Sequence, residues 1–286
     1  MTKSIPALLR AHDFRPRKDL SQNFLTDPNA LERIVAAADL QPDDAVVEVG
    51  AGFGNLTRLL AERAGRVVAV ELDGRLVEIL REQLATLPER SQRIVQVMHG
   101  NVLEMMDFGF PHRGFKVVGN LPYHVTSAVL RHFLEQEPRP RLMVVTVQRE
   151  VAQRIVAKPG KMSLLAVSVQ LHGEPRIVSR IPAGAFYPPP KVDSAVVRIE
   201  VGDRPSVLEA ADLEDAAYFR VVRAGFGQKR KTLRNSLSAG LGMAPAAVER
   251  ALASAAVDPR RRAETLSLEE WAEVTSAVRR LEHGEH

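Results

Sequence analysis

Short runs of β-branched and apolar residues alternate with amphipathic stretches through the first two thirds of the chain. Residues 45–49 (AVVEV), 67–71 (VVAVE), 94–98 (IVQVM), 116–119 (KVVG) and 142–147 (LMVVTV) read as strands. They are nearly continuous in apolar residues, as strands covered on both faces of a parallel sheet should be. Between them, residues 56–63, 75–87, 125–135 and 150–157 carry a helical period. This alternation predicts an α/β fold, an open sheet that binds ligands at the carboxyl ends of its strands. Two further runs, 163–171 and 194–201, read as strands with no helix between them and predict an antiparallel hairpin at the sheet edge.

The pattern breaks at Gly202-Asp203-Arg204-Pro205. Helical periods follow at 212–224, 229–239, 245–255 and 267–281. Pro245 sits in the first turn of its helix, and Ser267 with Glu270 forms a capping-box pattern. Two domains are expected: residues 1–204 as an α/β domain and 205–286 as a small all-helical one.

Composition narrows the function classes. The 286 residues are 45% hydrophobic and 26% charged, an ordinary globular balance. No segment approaches the roughly 20 apolar residues of a membrane span, and residues 1–10 lack the apolar core of a secretory signal. Without cysteine the chain has no disulfide, Cys-ligated zinc or thiol nucleophile; no metal and a cytoplasmic location are expected. The net charge is only +4, but it is unevenly spread. Residues 216–247 contain no acid, yet hold Arg220, Arg223, Lys229, Arg230, Lys231 and Arg234. Arg260-Arg261-Arg262 and the N-terminal Arg15, Arg17 and Lys18 add two more clusters. Any one cluster could be a solvated helix face. Together, with a pI near 9.6, they point to a phosphate backbone.

The first strand runs into Glu48-Val49-Gly50-Ala51-Gly52-Phe53-Gly54-Asn55, whose glycines let backbone approach a ligand closely. The second ends in Glu71-Leu72-Asp73, where a carboxylate can hold the hydroxyls of an adenosine ribose. A dinucleotide site would read G-x-G-x-x-G. The G-x-G-x-G found here, after the acid Glu48, favours S-adenosylmethionine, whose ammonium and sulfonium suit a nearby carboxylate.

The fourth strand ends in Gly119-Asn120-Leu121-Pro122-Tyr123. Adenine N6 is a poor nucleophile because its lone pair is delocalised into the ring. An amide oxygen on Asn120 and the Leu121 carbonyl could accept from its two N–H groups, favouring a more tetrahedral nitrogen as charge develops. Pro122 would fix the direction of these acceptors. Tyr123 offers a face for the base, worth roughly 1–3 kcal/mol in stacking.

On these segments the chain resembles the KsgA family of ribosomal-RNA adenine N6,N6-dimethyltransferases. The resemblance extends to Leu20-Ser21-Gln22-Asn23-Phe24-Leu25, to the run from Phe186-Tyr187-Pro188 to Ser194, to residues 226–235 and to Arg262-Ala263-Glu264-Thr265-Leu266. It implies a class I methyltransferase sheet with a helical RNA-binding tail, S-adenosyl-L-methionine as cofactor, and rRNA in an immature small ribosomal subunit as partner of a monomeric enzyme. Gln22, Asn23 and Leu25 would close over the cofactor. Gly50 with Gly52, Glu71, Asn101 and Asn120 would hold it. Phe186 would stack on the target base opposite Tyr123, and Arg223, Lys229, Arg230, Lys231 and Arg234 would contact RNA. Two positions depart from the family pattern: Asn101 stands where Asp is usual, implying weaker cofactor binding, and Ser21 where Gly is more frequent. Ser21-Gln22-Asn23-Phe24-Leu25-Thr26 resembles a sister family that methylates large-subunit RNA and confers macrolide resistance. That activity, and a non-catalytic assembly role, are the alternatives.

Overall fold

The strand α-helix alternation is realised with small shifts in boundary. Helix α1 (Ile5–Ala11) and the two-residue strand β1 (Phe24–Leu25) precede α2 (Pro28–Ala38), β2 (Ala45–Val49), α3 (Asn55–Arg63) and β3 (Arg66–Glu71). Next come α4 (Gly74–Leu84), α5 (Glu89–Ile94), β4 (Val95–His99), β5 (Lys116–Asn120), α6 (Thr126–Glu135), β6 (Leu142–Gln148) and α7 (Arg149–Ile155). After α8 (Leu164–His172) the chain returns through β7 (Gly173–Ile181), β8 (Phe186–Tyr187) and β9 (Ser194–Val201). The computed structural model describes residues 5–17, 20–110, 114–203 and 205–283. Lys18 and Arg204, named in the basic cluster and at the boundary, lie outside them.

Among the described residues, seven strands form one sheet in the order β4-β3-β2-β5-β6-β9-β7. The five Val-rich strands are parallel, and β9 is antiparallel to β6. Strand order reverses between β2 and β5, so the chain leaves these two strands in opposite directions and opens a crevice at their carboxyl ends. Their backbones approach closely there: a Cβ on Gly119 would lie 2.5 Å from the Val49 carbonyl oxygen. At the amino ends a buried polar cluster closes the sheet. Lys116 Nζ, 2% exposed, lies 2.7 Å from Asp44 Oδ2 and donates to the Ala38 carbonyl at 2.8 Å. Arg141 pairs with the other Asp44 oxygen. Burial alone would raise the Asp44 carboxyl; hydrogen bonds from Lys116, the Gln41 amide and Arg141 outweigh it and hold it below the ordinary range.

The expected hairpin is corrected. Residues 163–171 are not a strand but helix α8, with the Ser163 hydroxyl accepting from the Ala166 amide at 3.2 Å. Its LLAVSVQLH run is apolar on nearly every side, and periodicity cannot separate such a buried helix from a buried strand. The strand beside β9 is instead β7, whose GEPRIVSRI sequence is half exposed and carries Pro175. Proline is tolerated in such an edge strand.

The chain divides into two units, Met1–Gln153 with Glu174–Val201, and Arg154–Gly173 with Gly202–His286. The second therefore includes α8 beside the expected helical tail, here α9 (Ser206–Ala210), α10 (Asp215–Phe226), α11 (Leu233–Leu241), α12 (Pro245–Ser254) and α13 (Leu268–His283). Its core joins Ala166 and Val167 of α8 to Tyr218, Val222, Leu237, Leu252 and Trp271. Gly225 is required there, since a Cβ would fall 2.3 Å from the Trp271 ring. The capping box is formed: the Glu270 amide donates to Ser267 Oγ and Glu270 Oε2 accepts from the Ser267 amide. The helix expected from residue 229 begins only at Leu233, and Lys229, Arg230 and Lys231 form an exposed turn. Three cations at a helix N-terminus would oppose its dipole. No helix among the described residues is long and apolar enough to cross a membrane.

Candidate active site

The glycine turn after β2 is built by left-handed backbone: Gly50, Gly52 and Gly54 have φ of 77°, 58° and 82°. Side chains rarely adopt that region, and at Gly50 a Cβ would also press within 3.4 Å of the Asn120 carbonyl oxygen. Glu71, at the end of β3, locks the turn from below. Its Oε2 accepts from the Gly52 amide and its Oε1 from the Asp73 amide, each at 2.9 Å. Burial raises the Glu71 carboxyl even against these bonds. The Leu72 amide bonds to it as well; a carboxylate has about four lone-pair sites, so room for a further donor remains.

These groups line a cavity of about 120 Å³ at the carboxyl ends of the strands. Of the residues expected on the cofactor and substrate, Gln22, Asn23, Gly50, Gly52, Glu71, Asn101, Asn120, Leu121, Pro122 and Tyr123 line it. Leu72, Leu76, Val102, Leu103 and His124 line it too and were not singled out by sequence. Apolar residues just beyond a strand carry no signature of their own, although their places after β3 and β4 fit cofactor contact. Asn101 caps a short 3-10 turn, its Oδ1 accepting from the Leu103 amide and its Nδ2 donating to Glu104. The segment before β1 is tied to the same wall. Gln22 Nε2 donates to Asp73 Oδ2 at 3.0 Å, and Arg75 holds that carboxylate through its backbone amide and two guanidinium bonds.

Asn120 carries the most telling geometry. Its Nδ2 donates to the Asn23 carbonyl at 3.0 Å, while its Oδ1 is buried with no hydrogen-bond partner among the described residues. An unmet buried acceptor costs about 1–3 kcal/mol. The residue carrying it lines the cavity. Tyr123 is held by a 2.7 Å bond between its hydroxyl and Ser194 Oγ, and burial raises its pKa. The ring is thereby fixed at the cavity wall.

Three expected site residues are placed elsewhere. Phe186 is 3% exposed and packs in the core with Leu25, Leu31 and Ile181, outside the cavity; the exposed aromatic of β8 is Tyr187. β1 and β8 pair with Leu25 opposite Phe186, which turns both side chains inward. Leu25 accordingly lines not the main cavity but a smaller one of about 40 Å³, shared with Glu48, Asn55 and Asn120. Glu48 is 1% exposed, and burial, reinforced by the charge of Glu71, pushes its pKa up to about 8. It lines the smaller cavity and not the main one.

In the helical unit, sequence-distant cations converge. The Leu233 amide donates to the Arg261 carbonyl and the Arg234 amide to the Pro259 carbonyl, at 2.8 and 3.2 Å. This binds the turn of Lys229, Arg230 and Lys231 to the segment of Arg260, Arg261 and Arg262. Arg234, Arg260 and Arg261 are paired with Glu249, Asp258 and Glu270. Lys229, Arg230 and Lys231 have no ion-pair partner among the described residues. Arg223 lies over the Phe219 ring at 5.5 Å.

A mostly parallel sheet with this order, a glycine turn over the buried acid Glu71, and an Asn-Leu-Pro-Tyr turn after β5 define a Rossmann-like methyltransferase. Comparison with known proteins narrows the class. The family model described as ribosomal RNA adenine dimethylase matches residues 13–279. The ribosomal RNA small subunit methyltransferase A of Dehalococcoides mccartyi is 46% identical over 269 residues, covering 92% of this chain and 89% of that protein. That of Pelotomaculum thermopropionicum is 43% identical, covering 94% of each. Among solved structures, the 23S rRNA methyltransferase ErmE is 31% identical with a TM-score of 0.68, covering 90% of this chain and 100% of its own. A dimethyladenosine transferase from Plasmodium falciparum shares the fold at a TM-score of 0.70 and 22% identity, covering 88% and 95%. The chain belongs to the ribosomal RNA adenine dimethylase family.

Proposed function

We propose that the protein dimethylates N6 of two adjacent adenines in small-subunit (16S) rRNA, acting as a cytoplasmic monomer on an immature small ribosomal subunit. The observation that carries this reading is the unmet acceptor of Asn120 at the wall of a cavity that also holds Glu71 and the glycine turn. The identity margin supports the small-subunit target: relatives named for that activity reach 46%, against 31% for the large-subunit enzyme ErmE.

The residues fit S-adenosyl-L-methionine. Glu71 would accept from the ribose hydroxyls, Gly50 and Gly52 would let the backbone approach the methionine portion, and Asn101 would meet the adenine. Gln22 and Asn23 would cover it. When bound, the cofactor supplies an electrophilic methyl group on a positively charged sulfur. The rest falls to the chain. Asn120 Oδ1 and the Leu121 carbonyl accept from the two N–H groups of the target adenine, drawing its nitrogen lone pair out of conjugation where charge develops. Tyr123 supplies a stacking face for a base removed from its helix. Phe186, buried as it is, sets the β1–β8 pair and does not enter this reading as a stacking partner. The turn of Lys229, Arg230 and Lys231, with Arg223 and Arg234 beside it in sequence, neutralises RNA phosphates.

Incubation with labelled S-adenosylmethionine and, separately, immature small and large particles tests the assignment. Label on adenine N6 of small-subunit RNA alone is the expected result. Label in large-subunit RNA would move the protein to the ErmE-like activity, and no label in either would favour a non-catalytic assembly factor.

A further inference from the structure

Two turns of the chain are stitched together at the cavity wall. Asn120 Nδ2 donates to the Asn23 carbonyl, Asn23 Nδ2 donates to the Ser21 carbonyl, each at 3.0 Å, and Ser21 Oγ lies 3.1 Å from His124 Nδ1. Ser21 has a φ of 50°, in the left-handed region that a side chain disfavours. Its hydrogen bond to His124 holds it there, where a glycine would need no such tie.

The ends of an asparagine amide are nearly alike in shape and opposite in hydrogen bonding. Reversed, Asn120 would present N–H groups to the N–H groups of the adenine amine. The Asn23 carbonyl is an acceptor and admits only the Nδ2 end, which leaves Oδ1 for the substrate. We propose that His124, acting through Ser21 and Asn23, is a positioning residue that fixes which end of the Asn120 amide faces the adenine. This rests on Asn120 being the substrate's acceptor, as argued above. His124 itself touches neither reacting atom. It anchors the turn whose carbonyl selects the orientation.

Turnover is measured at saturating S-adenosylmethionine on immature small particles, alongside spectra of the protein labelled with ¹⁵N-asparagine, the Asn120 side-chain signals being assigned from Asn120→Ala. His124→Ala and Ser21→Ala should each lower kcat by roughly threefold to tenfold, with KM for RNA and methyl donor within about twofold. The double variant should be no worse than the poorer single one, because both remove the same bond. His124→Asn, whose amide can stand in for Nδ1, should recover kcat to within about twofold. In the alanine variants the Asn120 amide signals should shift and broaden. Unchanged kcat with unchanged Asn120 signals, a loss in KM alone, or failure of His124→Asn to rescue would each overturn the proposal. Wild-type turnover by Asn120→Ala would instead remove the acceptor role on which it rests, a separate outcome read in the same assay.

Discussion

The two ends of the central sheet handle buried polar groups in opposite ways. At the amino ends, Lys116 and Arg141 both pair with Asp44, and Lys116 also meets the carbonyls of Ala38 and Asp39 at the end of α2. At the carboxyl ends, Asn120 Oδ1 and Glu48 Oε2 are buried without partners among the described residues. Asp44, Lys116 and the two unpartnered oxygens are all withdrawn from water, so the difference lies in whether the protein itself completes the bonding. A satisfied end serves stability; under the function proposed above, the incomplete end is the one left for a ligand.

Their pH responses are opposite for the same reason. Asp44 is held below the ordinary carboxylate range, so its contribution is present above that range and lost on acidification. Glu48 is raised from 4.5 to about 8, so its contribution is full below 4.5 and lost as pH rises through 8.

Substitutions at the two ends should separate these roles. Asn120→Ala should lower turnover by about 10²–10³-fold, the cost of removing one aimed hydrogen-bonding group from a transition state. Its melting temperature should stay level or rise, and its RNA affinity should hold; a parallel fall in stability would erase the distinction between the ends. Lys116→Met should do the reverse, costing about 3 kcal/mol by denaturant titration with kcat preserved in the folded fraction. That is the low side of the penalty for orphaning a buried charge, because Arg141 still reaches Asp44. Glu48→Gln should remove a loss of stability of up to about 1.4 kcal/mol per pH unit across the window from 4.5 to 8. Thermal melts at pH 5 and pH 8 would then differ less than in the parent. The smallest effect is expected away from the sheet: neutralising Lys229, Arg230 and Lys231 should flatten the slope of log affinity against log salt by roughly two, with kcat at saturating RNA unchanged.

Much of this was legible in the sequence, and the exceptions share a cause. The parallel strands declare themselves because burial on both faces leaves continuous Val-rich runs. The glycine turn, Glu71 and the Asn120–Tyr123 turn stood out as unusual residues at strand ends, and the structure brings residues of all three to one cavity. α8 was hidden because an apolar run surrounded by core loses its period. Phe186 and Glu48 were misplaced because motif spacing places a residue on a strand but not on a face, and the β1–β8 register turned Phe186 inward. The orientation of the Asn120 amide and its link to His124 through residues 21–23 depend on contacts across about a hundred positions, which no local pattern reports.

Whether the free oxygen of Asn120 is the seat of the adenine amine can be read directly from a crystal structure with adenosine and S-adenosylhomocysteine bound. The exocyclic nitrogen should lie about 3 Å from both Asn120 Oδ1 and the Leu121 carbonyl, with the base against Tyr123. A base seated elsewhere, leaving that oxygen still without a donor, would contradict the account.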